Sequence, residues 1–210
     1  YSVDEAGFDP DALAAIAVNT DGLETLSAER VGQEMSKLLC SPNPAPAVSV
    51  MRQTGVLSAI LPGSDDRWLS IMAHIERHLK IAPDWIGRLA ALGGEDVADR
   101  LRLSRHDARK LDLLREVGFV GPSLPEIAYR HGRGIAEQVL LLRAALAEDI
   151  PDSALLGTIT QASQAKFPVK AVDLMPKFNG PALGARLALL EKEWIASGFV
   201  LSKQQLLDLP

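Results

Sequence analysis

Two histidines and one cysteine are the side chains of this sequence best suited to bind a metal ion or attack a substrate. His74 and His78 lie four residues apart, so on a helix they share one face, a geometry that zinc accepts. No third ligand lies near them in the sequence, and we interpret them as packed or solvated histidines. Cys40 ends a predicted helix, where the helix dipole disfavours a thiolate, and we expect a small buried residue there. The sequence thus predicts neither a metal site nor a catalytic residue.

The string Gly63-Ser64-Asp65-Asp66 has the residue types of a two-metal nucleotidyl-transfer site. Its spacing does not fit, because that chemistry uses an Asp-x-Asp that follows the glycine-serine pair on a rigid strand. The adjacent aspartates come directly after Pro62 and predict a helix N-terminus, where the dipole favours negative charge. Phosphate-loop, dinucleotide-fingerprint, nucleophile-elbow and HExxH strings do not occur in the sequence.

Basic residues are concentrated in one stretch, residues 99–115. It carries Arg100, Arg102, Arg105, Arg109, Lys110 and Arg115 against three aspartates. Arg102, Arg105 and Arg109 fall near one face if Ser104 only briefly interrupts the helix, and Lys110 borders that face, which suits an RNA backbone. The alternative is a solvated face paired with Asp99, Asp107 and Asp112, and the residues by themselves favour it.

A second phosphate candidate is the string 179–184, in which Asn179-Gly180-Pro181 opens a long predicted helix. Backbone N–H groups at that start can take a phosphate, with Lys177 and Arg186 alongside. The alternative, which we favour on the residues, is a sharp turn in which Gly184 permits close helix packing.

The net charge of −5 at pH 7 argues against a nucleic-acid partner only when its distribution is ignored. Residues 1–63 hold three Lys or Arg against eight Asp or Glu, while residues 64–130 hold eleven of each kind and residues 131–210 eight of each. A local basic face is therefore compatible with the acidic total.

Composition predicts a soluble globular chain, with 47% hydrophobic and 23% charged residues. The longest apolar run is far below the roughly 18 residues of a bilayer span, so we expect no membrane partner. A single cysteine excludes an internal disulfide and fits a reducing compartment, hence the cytoplasm. The chain begins at Tyr1 rather than at a methionine, which suggests a piece of a longer protein.

Apolar residues recur at helical spacing almost throughout, whereas β-branched alternation is scarce. This pattern predicts an all-α fold of about ten short to medium helices stacked in sequence order, an arrangement that can curve into an elongated array. Trp68, Trp85 and Trp194 lie in apolar helical stripes and are interpreted as core anchors. The predicted helices are bounded by Pro, Gly and capping residues and span 9–19, 27–40, 43–55, 65–79, 83–93, 95–103, 104–117, 123–131, 134–148, 152–166 and 179–197. Residues 57–61 are predicted as a short apolar turn, and Ser202 with Gln205 as a capping box.

Several strings together resemble the bacterial tRNA nucleotidyltransferase and poly(A) polymerase family. They are Phe8-Asp9-Pro10-Asp11-Ala12-Leu13, Leu26-Ser27-Ala28-Glu29-Arg30-Val31, Thr54-Gly55-Val56-Leu57, Leu101-Arg102-Leu103-Ser104, Gly180-Pro181-Ala182-Leu183-Gly184 and Trp194-Ile195. The resemblance covers most of the chain and implies three parts: a neck-like helical segment at residues 1–63, a helical body at 64–148 and a tail at 149–210.

The resemblance implies a template-independent enzyme that adds CCA or A residues to RNA 3′ ends, with tRNA or another RNA as its partner. In this family an N-terminal catalytic head carries the metal-binding Asp-x-Asp and a nucleotide-selecting Glu-Asp-x-x-Arg. No Asp-x-Asp follows the glycine-serine pair here and no Glu-Asp-x-x-Arg occurs, so we expect residues 1–210 by themselves to be inactive. Mg²⁺ and CTP or ATP are expected in a head of the same polypeptide, and no cofactor in this chain.

By position in the family, Ser27, Glu29 and Arg30 would brace the nucleotide pocket: Ser27 as a helix cap, and Glu29 with Arg30 as a polar pair fixed against the head. The resemblance also implies that body and tail bind tRNA, which shifts the arginine stretch towards RNA contact. The expected RNA-binding residues are Arg100, Arg102, Arg105, Arg109, Lys110, Lys177 and Arg186. The alternative is an all-helical protein-interaction module whose arginines are solvated.

Overall fold

The computed structural model describes residues 20–210. Within that range a 3-10 helix at Thr20–Thr25 precedes thirteen α-helices: α1 Ala28–Leu39, α2 Ala45–Gln53, α3 Val56–Ile60, α4 Arg67–Leu79, α5 Trp85–Leu92, α6 Val97–Arg100, α7 Arg105–Val117, α8 Leu124–His131, α9 Arg133–Ala147, α10 Ala154–Gln164, α11 Ala171–Leu174, α12 Gly180–Ala196 and α13 Lys203–Leu207. These residues contain no strand, only an isolated bridge between Ser64 and Gly93. The all-α prediction is confirmed, with more helices than the ten expected.

Helix starts are the best-predicted local feature. Side-chain oxygens accept backbone N–H groups of the first turn at five predicted starts, those of Ser27, Asp84, Ser104, Ser123 and Ser202. At Ser202 the Gln205 side chain returns the bond to the backbone, which confirms the predicted capping box. Each bond satisfies an N–H that has no partner inside its helix.

The predicted helix 95–103 is the clearest error. Only Val97–Arg100 is helical, and the chain adopts left-handed backbone at Asp96 (φ 49°) and Arg102 (φ 47°) on either side of it. The prediction was based on the apolar residues Val97 and Leu101, which are four apart as on one helix face. Both are buried, but Val97 lies in the short helix and Leu101 in the turn that follows it. The predicted helix 9–19 lies outside the described residues.

The chain divides into two compact units. Among the described residues, unit 1 contains 20–121 and 137–153, and unit 2 contains 122–136 and 154–210. The neck, body and tail boundaries inferred from the family resemblance remain predictions. No helix in residues 20–210 has the combination of length and apolarity needed to cross a lipid bilayer.

The core of unit 1 is built around α5, which is buried along its length from Ile86 to Leu92. This helix even buries a base: Arg88 is 1% exposed and donates from Nη2 to Glu76 of α4 at 2.5 Å. Its Nη1 donates to the carbonyl oxygens of Leu39 at 2.7 Å and Ser41 at 2.5 Å, which end α1 and follow it. Burial raises the pKa of Glu76, and the Arg88 guanidinium opposes that effect. One side chain thus ties three helices together.

The core of unit 2 is an aromatic cluster around Trp194 of α12. The ring of Trp194 lies 5.0 Å from that of Phe199 and 5.5 Å from those of Tyr129 and Phe167, at tilted or edge-on angles. Such geometries add to the apolar burial of the rings. The prediction of a core anchor is confirmed for Trp194, which is buried, whereas Trp68 and Trp85 are only half-buried.

Cys40 is exposed at the C-terminal end of α1, so the prediction of a small buried residue is wrong. The buried face of α1 is formed by Gly32, Met35, Leu38 and Leu39, and the chain leaves the helix one residue later. The apolar character of cysteine gave no information about which side of the helix end it occupies.

Candidate nucleic-acid interface

The arginine stretch is positioned by a close approach between α1 and the turn 101–104 that joins α6 to α7. A Cβ atom placed on Gly32 of α1 would lie 2.1 Å from the carbonyl oxygen of Leu101, which only glycine allows. Ser104 then starts α7, with its hydroxyl accepting the N–H of Asp107 at 3.1 Å. The backbone of the turn is therefore held from both sides.

Arg102 sits on this turn rather than on a helix. Its left-handed backbone separates it from the face of α7, and its Nε lies 3.5 Å from a carboxylate oxygen of Glu29 on α1. Arg102 would share that face only if Ser104 interrupted the helix briefly, and this condition is not met, since residues 101–104 are not helical. Both members of the pair are more than half exposed, so solvent weakens their attraction.

Arg105 and Arg109 do share one face of α7, being four residues apart, and both are exposed. Arg100, at the end of α6, is exposed as well. Within residues 20–210 none of these three arginines has an ion-pair partner. We call Arg100, Arg105 and Arg109 the arginine surface.

The other two bases of the stretch are engaged inside the protein. Lys110 forms an ion pair with Asp84, the residue that caps α5. Arg115 donates to the carbonyl oxygen of Gly94 at 3.0 Å, and burial lowers its pKa. Lys110 is consequently a weaker phosphate ligand than its sequence position suggested.

The three residues expected to brace a nucleotide pocket lie at the start of α1. Ser27 is a cap as predicted, its hydroxyl accepting the N–H of Arg30 at 3.3 Å. The ion-pair partner of Glu29 is Arg102 rather than its neighbour Arg30, because consecutive residues point to different sides of a helix. Arg30 is exposed. Their bracing role stays a prediction.

The C-terminal pair of candidates has a different environment from the arginine surface. Arg186 donates from Nη1 to the carbonyl oxygen of Pro210 at 2.5 Å and from Nη2 to that of Leu209. Its guanidinium also lies 5.9 Å from the ring centre of Phe178, and the ammonium of Lys177 lies 5.6 Å from the same ring. Arg186 therefore holds the chain end against α12, while Lys177 is exposed.

The alternative offered for the string 179–184 holds for the turn but not for the packing at Gly184. Gly180 has left-handed backbone (φ 53°) and makes the expected turn. Gly184, however, is exposed, and a Cβ there would meet no atom within 4 Å, so it does not permit close helix packing. Helical periodicity placed Gly184 on α12 but gave no information about which face is covered.

His74 and His78 are both exposed on α4. Among residues 20–210 no three His, Cys, Asp or Glu side chains are grouped as metal ligands.

Sequence reasoning missed one basic site. Arg52 of α2 and Arg67 and Arg77 of α4 line an open cleft together with serines and two aspartates. We call it the polar cleft, and its lining residues are Asn43, Ala45, Pro46, Ser49, Arg52, Ser58, Ser64, Asp65, Asp66, Arg67, Ser70 and Arg77. These residues come from three helices and two connections, so no spacing in the sequence marks them as one site.

Comparison with known families finds a match for the N-terminal third of the sequence. Residues 7–67 match a family model described as "Probable RNA and SrmB- binding site of polymerase A". Residues 7–67 are thus similar to an RNA-binding segment of the poly(A) polymerase type. A search of curated proteins found no relative that matches the chain.

The match supports the resemblance to the poly(A) polymerase and tRNA nucleotidyltransferase family over residues 7–67, and it supports an RNA-binding role for that segment. The described part of this polymerase-A segment, residues 20–67, contains the 3-10 helix, α1 to α3 and the first residue of α4. It includes Ser27, Glu29 and Arg30, most of the polar cleft, and Gly32, which positions the turn carrying Arg102.

Proposed function

We propose that this chain is the RNA-holding part of a template-independent nucleotidyltransferase that adds CCA or A residues to RNA 3′ ends, with tRNA as the leading substrate. The match of residues 7–67 carries the proposal, because it assigns an RNA-binding role to a polymerase-type segment. The arginine surface supports it, since exposed guanidinium groups bind phosphates by charge and shape without reading bases.

Catalysis is assigned to a head domain of the same polypeptide, outside residues 1–210. The sequence lacks an Asp-x-Asp after its glycine-serine pair. Asp65 and Asp66 lie just before α4 instead, where they form ion pairs with Arg67 and Arg52 respectively. In the complete enzyme, the RNA 3′-hydroxyl would attack the α-phosphate of CTP or ATP and release pyrophosphate, and Mg²⁺ held by the head would supply charge stabilisation for that chemistry. The role of the present chain is to hold and orient the RNA.

The activity is tested by joining residues 1–210 to a catalytic head of this family and measuring CMP and AMP incorporation into tRNA that lacks its 3′ end. We expect incorporation by the joined protein and none by residues 1–210 alone. A folded joined protein that still binds tRNA and incorporates neither nucleotide would contradict the enzyme assignment.

RNA binding by the arginine surface is tested by fluorescence anisotropy with labelled tRNA. Replacing Arg100, Arg105 and Arg109 with Gln should weaken binding about tenfold or more at low salt, because three phosphate contacts are lost. The matched control replaces three exposed lysines of unit 2, Lys166, Lys170 and Lys192, with Gln. Equal affinities of the two variants would assign the effect to net charge alone.

One observation favours a second function, that of a protein-interaction module. The description of the matching family names a binding site for SrmB as well as one for RNA. A salt titration separates the two functions. Phosphate contacts predict a steep loss of RNA affinity between about 50 and about 200 mM salt. Absence of RNA binding at low salt would favour the protein-interaction module.

A further inference from the structure

The polar cleft gathers three exposed arginines from separate parts of the chain. Ala45, Ser49 and Arg52 lie on one face of α2, at helical spacings of four and three residues. Ser70 and Arg77 likewise share a face of α4. The cleft is thus formed between the polar faces of two helices, with the connection 61–66 at its end.

That connection is anchored, so the cleft keeps its shape. The N–H of Asp65 donates to the carbonyl oxygen of Leu92 at 2.8 Å, and the N–H of Glu95 donates to that of Pro62 at 2.8 Å. The hydroxyl of Ser64 donates to the carbonyl oxygen of Leu61 at 2.6 Å. Two backbone bonds, one to the last residue of α5 and one from the connection after it, therefore fix the position of both aspartates.

The aspartates in turn orient two of the arginines. Arg52 Nε lies 2.6 Å from Asp66, whose side chain is 13% exposed, and Arg67 Nη2 lies 2.5 Å from Asp65. Hydrogen bonds from the side chain and the backbone of Arg67 lower the pKa of Asp65. A guanidinium has five N–H donors and one carboxylate takes about two of them in a fork, so donors remain for a further acceptor.

Arg77 provides the charge that the aspartates do not balance. Its Nε donates to the carbonyl oxygen of Ala73 in its own helix at 3.3 Å, and within residues 20–210 it has no carboxylate partner. Three arginines face two aspartates in the cleft, whereas the whole chain carries a net charge of −5. Four serines, at positions 49, 58, 64 and 70, line the cleft between these charges.

An independent observation concerns the polymerase-A segment. Residues 7–67 contain only four Lys or Arg: Arg30, Lys37, Arg52 and Arg67. Two of the four line the polar cleft, and Lys37 forms an ion pair with Glu34 on its own helix. Half of the cations available to an RNA-binding role of this segment therefore lie in the cleft, and the other two lie on α1.

We propose that the polar cleft binds the phosphodiester backbone of an RNA strand through Arg52, Arg67 and Arg77. This inference rests on the proposed RNA-binding function and assigns it a second contact site, separate in sequence from the arginine surface. Asp65 and Asp66 act as positioning residues that hold two guanidinium groups towards the cleft. Contacts of this kind fix the path of the strand and do not select its sequence.

The test is a comparison of salt dependence in three variants of residues 1–210, with a labelled 12-nucleotide oligo(A) and with tRNA as probes. The cleft variant carries Arg52→Gln, Arg67→Gln and Arg77→Gln. The arginine-surface variant and the unit 2 lysine variant described above are its matched controls, since all three lose the same charge. Circular dichroism and thermal unfolding establish that each variant is folded.

For oligo(A), we expect the cleft variant to bind about tenfold or more weakly, and the slope of log K against log salt to fall by about 2, which corresponds to three lost phosphate contacts on a single strand. If affinity and slope were unchanged in the cleft variant while the unsubstituted chain bound normally, the proposal that the polar cleft binds RNA would be contradicted. The proposed function of the chain would still stand. Absence of binding by the unsubstituted chain at low salt would overturn both.

Removing Arg52 or Arg67 also breaks an ion pair, so a variant that leaves both pairs intact is needed. Arg77→Glu is that variant, because within residues 20–210 the only hydrogen bond of the Arg77 side chain runs within α4, and the exposed position tolerates a carboxylate. We expect a loss of affinity of about three- to tenfold for oligo(A), with an unchanged unfolding temperature. Affinity equal to that of a Lys192→Glu control would overturn the proposal.

Discussion

Arg88 shows how one buried charge can organise a helical core. The guanidinium donates to a buried carboxylate and to two backbone carbonyls, so its charge and most of its hydrogen-bond donors are satisfied away from water. Removing one member of such a pair leaves the other buried without compensation, whereas replacing both with apolar groups is often tolerated.

We predict that Arg88→Met lowers the free energy of unfolding by about 3 to 5 kcal/mol, measured by urea denaturation. The double variant Glu76→Leu with Arg88→Met should recover most of that loss. A single variant within about 1 kcal/mol of the original stability would show that the pair does not hold α1, α4 and α5 together.

Tyr129 is the residue whose titration reports on the core of unit 2. Its hydroxyl donates to Glu191 at 2.7 Å, and its ring lies against Trp194 and Phe199. Burial, together with the hydrogen bond to Glu191 and its negative charge, raises the pKa of Tyr129 from 10.0 to about 12. The folded state thus keeps this proton to higher pH than the unfolded chain does.

We predict that the stabilisation linked to Tyr129 is complete below pH 10 and is lost as pH rises from about 10 to about 12. The measurement is tyrosinate absorbance in a Tyr1→Phe background, which leaves one of the two tyrosines. Glu191→Gln should shift the midpoint down towards 10, and Tyr129→Phe should abolish the signal. A midpoint near 10 in the Tyr1→Phe background would contradict the assignment.

At the scale of elements, the contact between α1 and the turn 101–104 links the polymerase-A segment to the arginine stretch. The backbone of Leu101 occupies the space that a side chain at Gly32 would need. Arg102 follows in the same turn and meets Glu29 one helical turn earlier on α1. The position of a base distant in sequence is therefore set by a glycine of the RNA-binding segment.

We predict that Gly32→Ala destabilises the protein by about 1 to 3 kcal/mol, because the added methyl group collides with backbone that has to move. Gly157→Ala in α10 is the control: a Cβ there meets no atom within 4 Å, and alanine favours the helix by up to about 1 kcal/mol. Thermal and urea unfolding measure both. Equal effects of the two substitutions would contradict the close approach.

At the scale of the whole molecule, an acidic chain presents local cationic sites. The excess of acids lies within residues 1–63, and later residues are balanced. The attraction between an exposed arginine and a phosphate is strong only when the two groups are close, because salt at 0.1 M screens charges that are more than about 10 Å apart. RNA binding by this protein should then depend on local geometry rather than on total charge.

We predict that oligo(A), oligo(U) and oligo(C) of equal length bind with affinities within a few-fold of one another and with similar salt slopes. The expectation follows from contacts to phosphate rather than to base edges. Competition anisotropy at a fixed salt concentration measures it. A preference of about a hundredfold for one sequence would show base recognition that neither the arginine surface nor the polar cleft explains.

The sequence by itself determined the all-α class, the helix starts at Ser27, Asp84, Ser104 and Ser202, and the resemblance to the poly(A) polymerase family. The helix class and the helix starts depend on residues within about four positions of one another. The family resemblance depends on short strings that occur in the same order along the chain.

Only the tertiary structure decided which bases are available to RNA. Arg88 enters the core, Arg186 binds the chain end, Lys110 pairs with Asp84, and Arg52 joins Arg77 in the polar cleft. A basic side chain has the same charge in each of these places, and its partners lie between 12 and 49 residues away in the sequence. Because these partners are distant in the sequence, composition and periodicity could locate the basic residues. They could not show which of them are bound inside the protein and which are available to RNA.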